Sequence, residues 1–277
     1  MNRYALKYTL GVCSILFIFG NFIACGSQLY QVSVEDDFEP SAKTKENNPE
    51  MNDPESTLYG IHAPGGWKNL PITYKFGNET NSEQRRELVK AMRTWEMAVG
   101  FKLFSAKGIH SGTNGDSFDN LYSSLDDRVN GHYMDSDWKK TKKPEHVLAT
   151  TIWNNGVDYN HIAKADIRFN QEYYIIGDSL TLSATEDREV VDMQSLALHE
   201  LGHLLGLAHT SEKVDSLSIM NPSLYIGEGL TSRKLSRDDI TRIQTIYGCK
   251  GKACDIKYTY KKISTKIDSE LDEADAR

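Results

Sequence analysis

The stretch His199-Glu200-Leu201-Gly202-His203-Leu204-Leu205-Gly206-Leu207-Ala208-His209, with Met220 a short distance beyond it, constrains this chain more than any other. His199 and His203 are four apart, so on an α-helix they share a face about one turn apart. Two imidazoles so placed can both reach one Zn²⁺ at ~2.0–2.1 Å. Glu200 points to one side of that pair, where a carboxylate can reach a water on the metal without occupying the metal. Gly206 follows the apolar run and can take φ > 0, ending the helix and turning the chain. The turn lets His209 return as a third ligand. Three protein ligands leave a fourth position open, as in a catalytic zinc site and unlike a closed structural one. A bare His-Glu-x-x-His also arises on surface helices whose histidines bind nothing. The added Gly206, His209 and Met220 make the longer pattern far more specific.

That longer pattern is the metzincin motif with its Met-turn, and the chain resembles a metzincin zinc endopeptidase. Ser218-Ile219-Met220-Asn221-Pro222 matches the Met-turn, in which Met220 packs beneath the histidines as a polarizable floor and does not ligate. Thr210 after His209 is the nearest hydroxyl equivalent of the matrixin Ser, so the resemblance leans to the matrixins. In astacins a Tyr two residues after the Met is a ligand. That position here is Pro222, so Tyr225 is assigned with Pro222 to the wall of the S1′ pocket, and residues 222–235 to the loop that sets its depth. The resemblance covers about residues 66–248, strongest over 165–248 and weak across 105–146.

The same resemblance implies a fold. The expected class is α+β: a metzincin-type catalytic domain with a twisted mixed sheet, an active-site helix and a lower subdomain built on the Met-turn. The residues support this in order. Ile72, Tyr74 and Phe76 alternate as a half-buried strand. Leu88, Ala91, Met92, Trp95 and Val99 recur at helical spacing, and Gly100 closes that helix. Asn81 or Ser82 can cap it; with Ser82 the position three on is Arg85, so no capping box is expected. Trp95 reads as a core anchor. Val147–Trp153 is a β-branched run and hence a strand. Ala165-Asp166-Ile167 opens another, which resembles the matrixin strand lying along the active-site cleft and pairing with substrate backbone. From Glu186 to Leu205, Val190, Met193, Ala197, Leu201 and Leu204 predict one amphipathic helix capped by Ser183 or Thr185. Ser236 predicts the cap of a last helix with Asp238 and Asp239 in its first turn. By resemblance, Asp239 braces the Met-turn; plain helix-start charges are the other reading.

Residues 105–146 are rich in Gly, Ser, Asp and Asn and read as a solvated loop. Asp126, Asp127, Asp135 and Asp137 could offer oxygens to Ca²⁺, without EF-hand spacing. His110, His132 and His146 show no ligand spacing and read as surface histidines. Matrixins carry a structural zinc with a three-histidine pattern that is missing here, so one catalytic zinc is expected and no second.

The ends of the chain bear on where it works. Arg3 and Lys7 precede an uncharged apolar run from Tyr8 to Ala24. Phe22-Ile23-Ala24-Cys25 resembles the lipobox of bacterial lipoproteins, which implies cleavage before Cys25 and lipidation of it. An ordinary cleaved secretory signal and an uncleaved anchor are the alternatives. No Asp follows Cys25, which by resemblance favours the outer membrane; a secreted or periplasmic location is the other. Residues 1–24 are thus assigned to a signal peptide, 25–58 to the lipidated Cys and a flexible polar tether, 59–249 to the peptidase domain and 250–277 to a charged, solvated C-terminal tail. Cys249 and Cys254 could close a small disulfide loop in an oxidising compartment; a zinc knuckle is the rival, with no second Cys or His pair nearby. No cysteine lies between Cys25 and Cys249, so the matrixin latency cysteine has no candidate unless Cys25 is free.

Charge excludes one class of partner. The chain has 32 Lys and Arg against 39 Asp and Glu, a net of −7, and a cleaved signal would take two basic residues with it. No basic stripe for nucleic acid is present. The expected partners are a protein or peptide substrate and a membrane reached through lipid, with the chain a monomer. The implied activity is peptide-bond hydrolysis by metal-activated water with Glu200 as general base and then acid. The rival is a catalytically silent zinc-binding surface lipoprotein, an adhesin or pseudoprotease.

Overall fold

A computed structural model describes residues 30–33, 52–111, 129–154, 158 and 160–275. The strands are β1 (Tyr30–Ser33), β2 (Gly66–Trp67), β3 (Ile72–Gly77), β4 (Phe104–His110), β5 (Gly131–Asp135), β6 (Ala149–Asn154), β7 (His161–Ile162), β8 (Lys164–Asn170), β9 (Ile175–Gly177), β10 (Val190–Asp192) and β11 (Ser223–Ile226). The helices are α1 (Ser82–Val99), α2 (Met193–Leu204), α3 (Arg237–Tyr247) and α4 (Ile256–Asp275). Five strands form one mixed sheet in the order β4-β3-β5-β8-β6, parallel except for β6, which runs antiparallel to β8 at one end. With α2 packed on β6 and β8, and α1 packed on α2, this is the expected α+β architecture.

Local chemistry explains the elements. In β3 the alternation holds, with Ile72, Tyr74 and Phe76 buried. Helix α1 is capped by Asn81, and Gln84 completes a capping box that the alternative start at Ser82 had excluded. It ends at Gly100, whose φ of 79° is the left-handed conformation glycine takes without strain. Trp95 is fully buried and its indole N–H donates to Leu198 O of α2 at 3.0 Å, tying the two helices together.

Four expectations are corrected. First, the strand at the end of the sheet nearest α2 is β6, not the Ala165-Asp166-Ile167 strand. The latter is β8, which lies between β5 and β6 with all seven residues buried. Second, part of 105–146 is core. Strand β5 is buried throughout, and His132 within it is only 1% exposed, not a surface histidine. Asp135, at its end, is ion-paired with buried Arg168, which is how a polar stretch can supply an interior strand. Third, the active-site helix starts at Met193, capped by Asp192, and Val190 belongs to a short strand pairing parallel with β9. Fourth, the terminal segment is not a solvated tail: α4 packs on α1 and α3 and buries Ile263 and Ile267.

The 25–58 segment is also not tether throughout, because β1 pairs antiparallel with β11, Val32 opposite Leu224. No described helix is long and apolar enough to cross a membrane. Cys25, Asp126 and Asp127 lie outside the described residues.

Candidate active site

All twelve residues of α2 are buried. A buried helix must still satisfy its terminal carbonyls, and here side chains from distant segments do so. His62 Nε2 lies 2.9 Å from His203 O, Trp67 Nε1 donates to Leu204 O at 2.7 Å, and Tyr247 Oη donates to Leu205 O at 2.8 Å. The helix then stops at Gly206, whose φ is 108° and where a Cβ would sit 2.9 Å from Ala63 O. Both conformation and space demand glycine. His62 N and Ala63 N donate to Gly206 O, and Ala208 N to Gly60 O, so residues 60–63 hold the turn that carries His209 back.

The three histidines converge. His199 and His203 place their Nε2 atoms 3.0 Å apart, and His199 and His209 theirs 3.3 Å apart. Among the described residues they form the one group of His, Cys, Asp or Glu able to hold a metal. Two tautomers follow from their partners. His199 Nδ1 faces Ile219 O at 2.7 Å and His203 Nδ1 faces Leu207 O at 2.8 Å. A carbonyl can only accept, so each Nδ1 carries the hydrogen and each Nε2 keeps its lone pair for a metal. Ligands at ~2.0–2.1 Å in a tetrahedron would be about 3.3 Å apart, close to the spacings found. The donor set therefore fits zinc.

Beneath the histidines lies Met220, fully buried. Gly202 makes room for it: a Cβ there would meet Met220 Sδ at 2.3 Å. Gly202 was not singled out from the sequence, although it stands inside the motif. The turn around Met220 is braced by Asp239, whose Oδ1 accepts from Ser218 Oγ at 2.6 Å and whose Oδ2 accepts from Ile219 N at 3.0 Å. Arg242 Nη2 donates to the same carboxylate at 2.6 Å, and Asp239 with Ser236 forms the capping box of α3. Asp239 is thus more than a plain helix-start charge: it completes the capping box of α3 and holds the Met-turn.

Glu200 is fully buried, and its Oε2 accepts from Thr151 Oγ1 of β6 at 2.6 Å. Beside the Met-turn is a cavity of about 500 Å³, lined in part by Ile219, Asn221, Leu224, Tyr225, Arg233 and Ile267. Leu224 is its buried wall residue in β11, whereas Tyr225 stands at the rim, 53% exposed, and Pro222 is partly buried in the turn. The loop after β11 is fastened to the start of α2. Arg233 pairs with Asp192 and, at 2.6 Å, with Asp178. Burial works against the Asp178 carboxylate, yet Arg233 outweighs it and holds the carboxyl below its usual range. Arg233 lies within the 222–235 loop expected to set pocket depth, but neither its ion pairs nor Ile267 is signalled by the sequence. A buried ion pair and a helix packed from the end of the chain leave no short motif.

Other assigned residues lie away from this site. Cys249 and Cys254 are joined in a disulfide, S–S 2.11 Å, following α3. Asp135 is committed to Arg168, and Asp137 pairs with Lys140 at 2.9 Å; among the described residues neither belongs to a group that could hold a metal, and Asp126 and Asp127 lie outside those residues.

A histidine pair on a buried helix, a third histidine brought back by a glycine turn and a methionine floor define the metzincin class of zinc metallopeptidases. Within it the particular family is shown by comparison: the matrixin family model matches residues 66–248, and the chain belongs to the matrixins, a family of zinc metalloendopeptidases. It is 26% identical over 210 residues to matrix metalloproteinase-27 of Tupaia belangeri, covering 72% of this chain and 34% of that protein. Over shorter stretches it is 46% identical to metalloendoproteinase 5-MMP of Arabidopsis thaliana (59 residues, 21% of this chain and 15% of that protein). It is also 39% identical to metalloendoproteinase 1 of Glycine max (77 residues, 28% and 23%). The chain thus spans about a third or less of the length of these relatives.

Proposed function

We propose that this chain is an active zinc-dependent endopeptidase in which His199, His203 and His209 hold the metal and Glu200 moves the proton. The observation that carries this reading is the convergence of three Nε2 atoms, two with their Nδ1 hydrogens already engaged, on the helix that bears Glu200. Zinc, when bound, supplies Lewis acidity that polarises the scissile carbonyl and activates water near neutral pH. Glu200 takes a proton from the attacking water and returns it to the leaving amine, so no acyl-enzyme forms. Strand β6, at the end of the sheet among the described residues, offers its outer edge to the substrate backbone, and the cavity beside Leu224 receives a substrate side chain.

The chain is exported in this reading, with signal residues 1–24 removed and Cys25 lipidated. Cys25 stands five residues before β1, which can span at most about 18 Å. Because β1 is paired to β11, the lipid would then hold the cleft close to the membrane. Mass spectrometry of the mature N-terminus checks this part, an unmodified Cys25 being the adverse result.

The test of the activity is zinc content and peptide cleavage for wild type and Glu200→Ala. Cleavage by wild type with a zinc-loaded, inactive variant supports the peptidase. Zinc without turnover in either favours a silent binding module, and no stoichiometric zinc removes both readings.

A further inference from the structure

Thr151 has no part in the chemistry described so far, yet its hydroxyl touches the one carboxylate that does. Thr151 lies in β6, the strand at the end of the sheet nearest α2. Its Oγ1 is 2.6 Å from Glu200 Oε2 and 3.1 Å from Glu200 O. A hydroxyl has one hydrogen, and both neighbours are acceptors. The shorter contact is the charge-assisted one, at the distance expected for O–H donating to a carboxylate. The hydroxyl therefore ties one oxygen of the Glu200 carboxylate to the sheet. A β-branched residue alone would satisfy the strand, and Val would do so equally; the hydroxyl adds something the fold does not require.

We infer that Thr151 is a positioning residue, its hydroxyl holding the Glu200 carboxylate in the orientation that proton transfer needs, so that the strand expected to bind substrate also sets the base. The inference rests on the reading of Glu200 as proton carrier. It specifies that the hydroxyl, not the methyl or the bulk of Thr151, matters.

Three variants of the full exported chain test this: Thr151→Val, Thr151→Ser and Thr151→Ala. Each is assayed for kcat and KM on a fluorogenic peptide, for zinc content, and for the order of the Glu200 side chain in a crystal of the zinc-loaded protein. Removing a hydrogen bond to a charged group should lower kcat by roughly tenfold or more. The expected result is that loss in Thr151→Val, with KM within about twofold and one zinc retained, and Glu200 spread over more than one rotamer. Thr151→Ser keeps most of wild-type kcat. In a Glu200→Ala background Thr151→Val has no further effect, because the two act as a unit. Where Thr151→Val does not fold, Thr151→Ala carries the same expectation. Wild-type kcat in the hydroxyl-free variants, an equal loss in Thr151→Ser, or a change in KM alone overturns the positioning role while leaving the peptidase intact. An inactive wild type overturns the reading of Glu200 and this inference with it.

Discussion

Asp239→Ala is the perturbation that most sharply separates a brace from an ordinary helix-start charge. The carboxylate is fully buried and accepts from Ser218 Oγ, Ile219 N, Ser236 N and Arg242 Nη2, at 2.6 to 3.0 Å. Alanine removes all four bonds and leaves Arg242, with its side chain 8% exposed, as a buried unpaired cation. Breaking a buried ion pair by deleting one partner costs about 3–5 kcal/mol. The lost cap adds ~1 kcal/mol in isolation, but the bonds share one carboxylate and will not sum. A loss of about 4 kcal/mol is expected, which for a domain of this size lowers Tm by about 8–16 °C. The effect should reach the metal. Ile219 N is held by Asp239 while Ile219 O holds His199 Nδ1, so zinc affinity should fall roughly 10–100-fold, as when the outer partner of a ligand is lost. Urea unfolding and competition with a zinc chelator measure the two effects. A plain helix-start charge would contribute only ~0.3–1 kcal/mol. A loss that small, with zinc affinity unchanged, refutes the bracing argument.

Three further outcomes follow from the packing. Gly202→Ala gains about 1 kcal/mol of helix propensity but drives a methyl into Met220 Sδ, with Trp95 Cζ2 3.2 Å away on the same side. Overpacking of ~1–3 kcal/mol should win, giving a lower Tm and weaker zinc binding; a raised Tm would show that Met220 yields freely. His132 is neutral in the fold, burial pushing it down to about 3. The unfolded chain therefore takes up its proton first as pH falls, so stability present above about pH 6.5 declines below it, by ~2 kcal/mol between pH 7 and 5. Urea midpoints should show this slope flattened in His132→Phe relative to wild type, and equal slopes would be the adverse result. Ile263→Ala should cost ~2–5 kcal/mol because Ile263 is fully buried; a change under ~0.5 kcal/mol in the same urea assay would return α4 to the solvent.

The site was largely legible in the sequence because its constraints are local. Histidine spacing, Gly206 and the Met-turn lie within about two dozen residues, and each position has a separate stereochemical reason. Asp239 could be reached because Ser236 and the Asp pair announce a helix start. What stayed hidden depends on distant partners. Strand β5 reads as loop until Arg168 neutralises Asp135. The start of α2 was placed too early because Val190, in β10, falls into helical phase with Met193 and Ala197. Strands β6 and β8 both carry strand signals, and only their pairing decides which one ends the sheet. Helix α4 is different, since Ile256, Tyr260, Ile263 and Ile267 recur at helical spacing and could have been read; the many lysines around them obscured the stripe. The pairing of β1 with β11 has no local signal at all, being set by a strand some two hundred residues away.

The central claim, one zinc held by three histidines and used for hydrolysis, is tested most directly by returning zinc to chelated protein while peptide cleavage is followed. The account predicts that activity rises linearly and saturates at one equivalent of zinc per chain in wild type, and that His209→Ala recovers none. Saturation at two equivalents, or full recovery in His209→Ala, would contradict it.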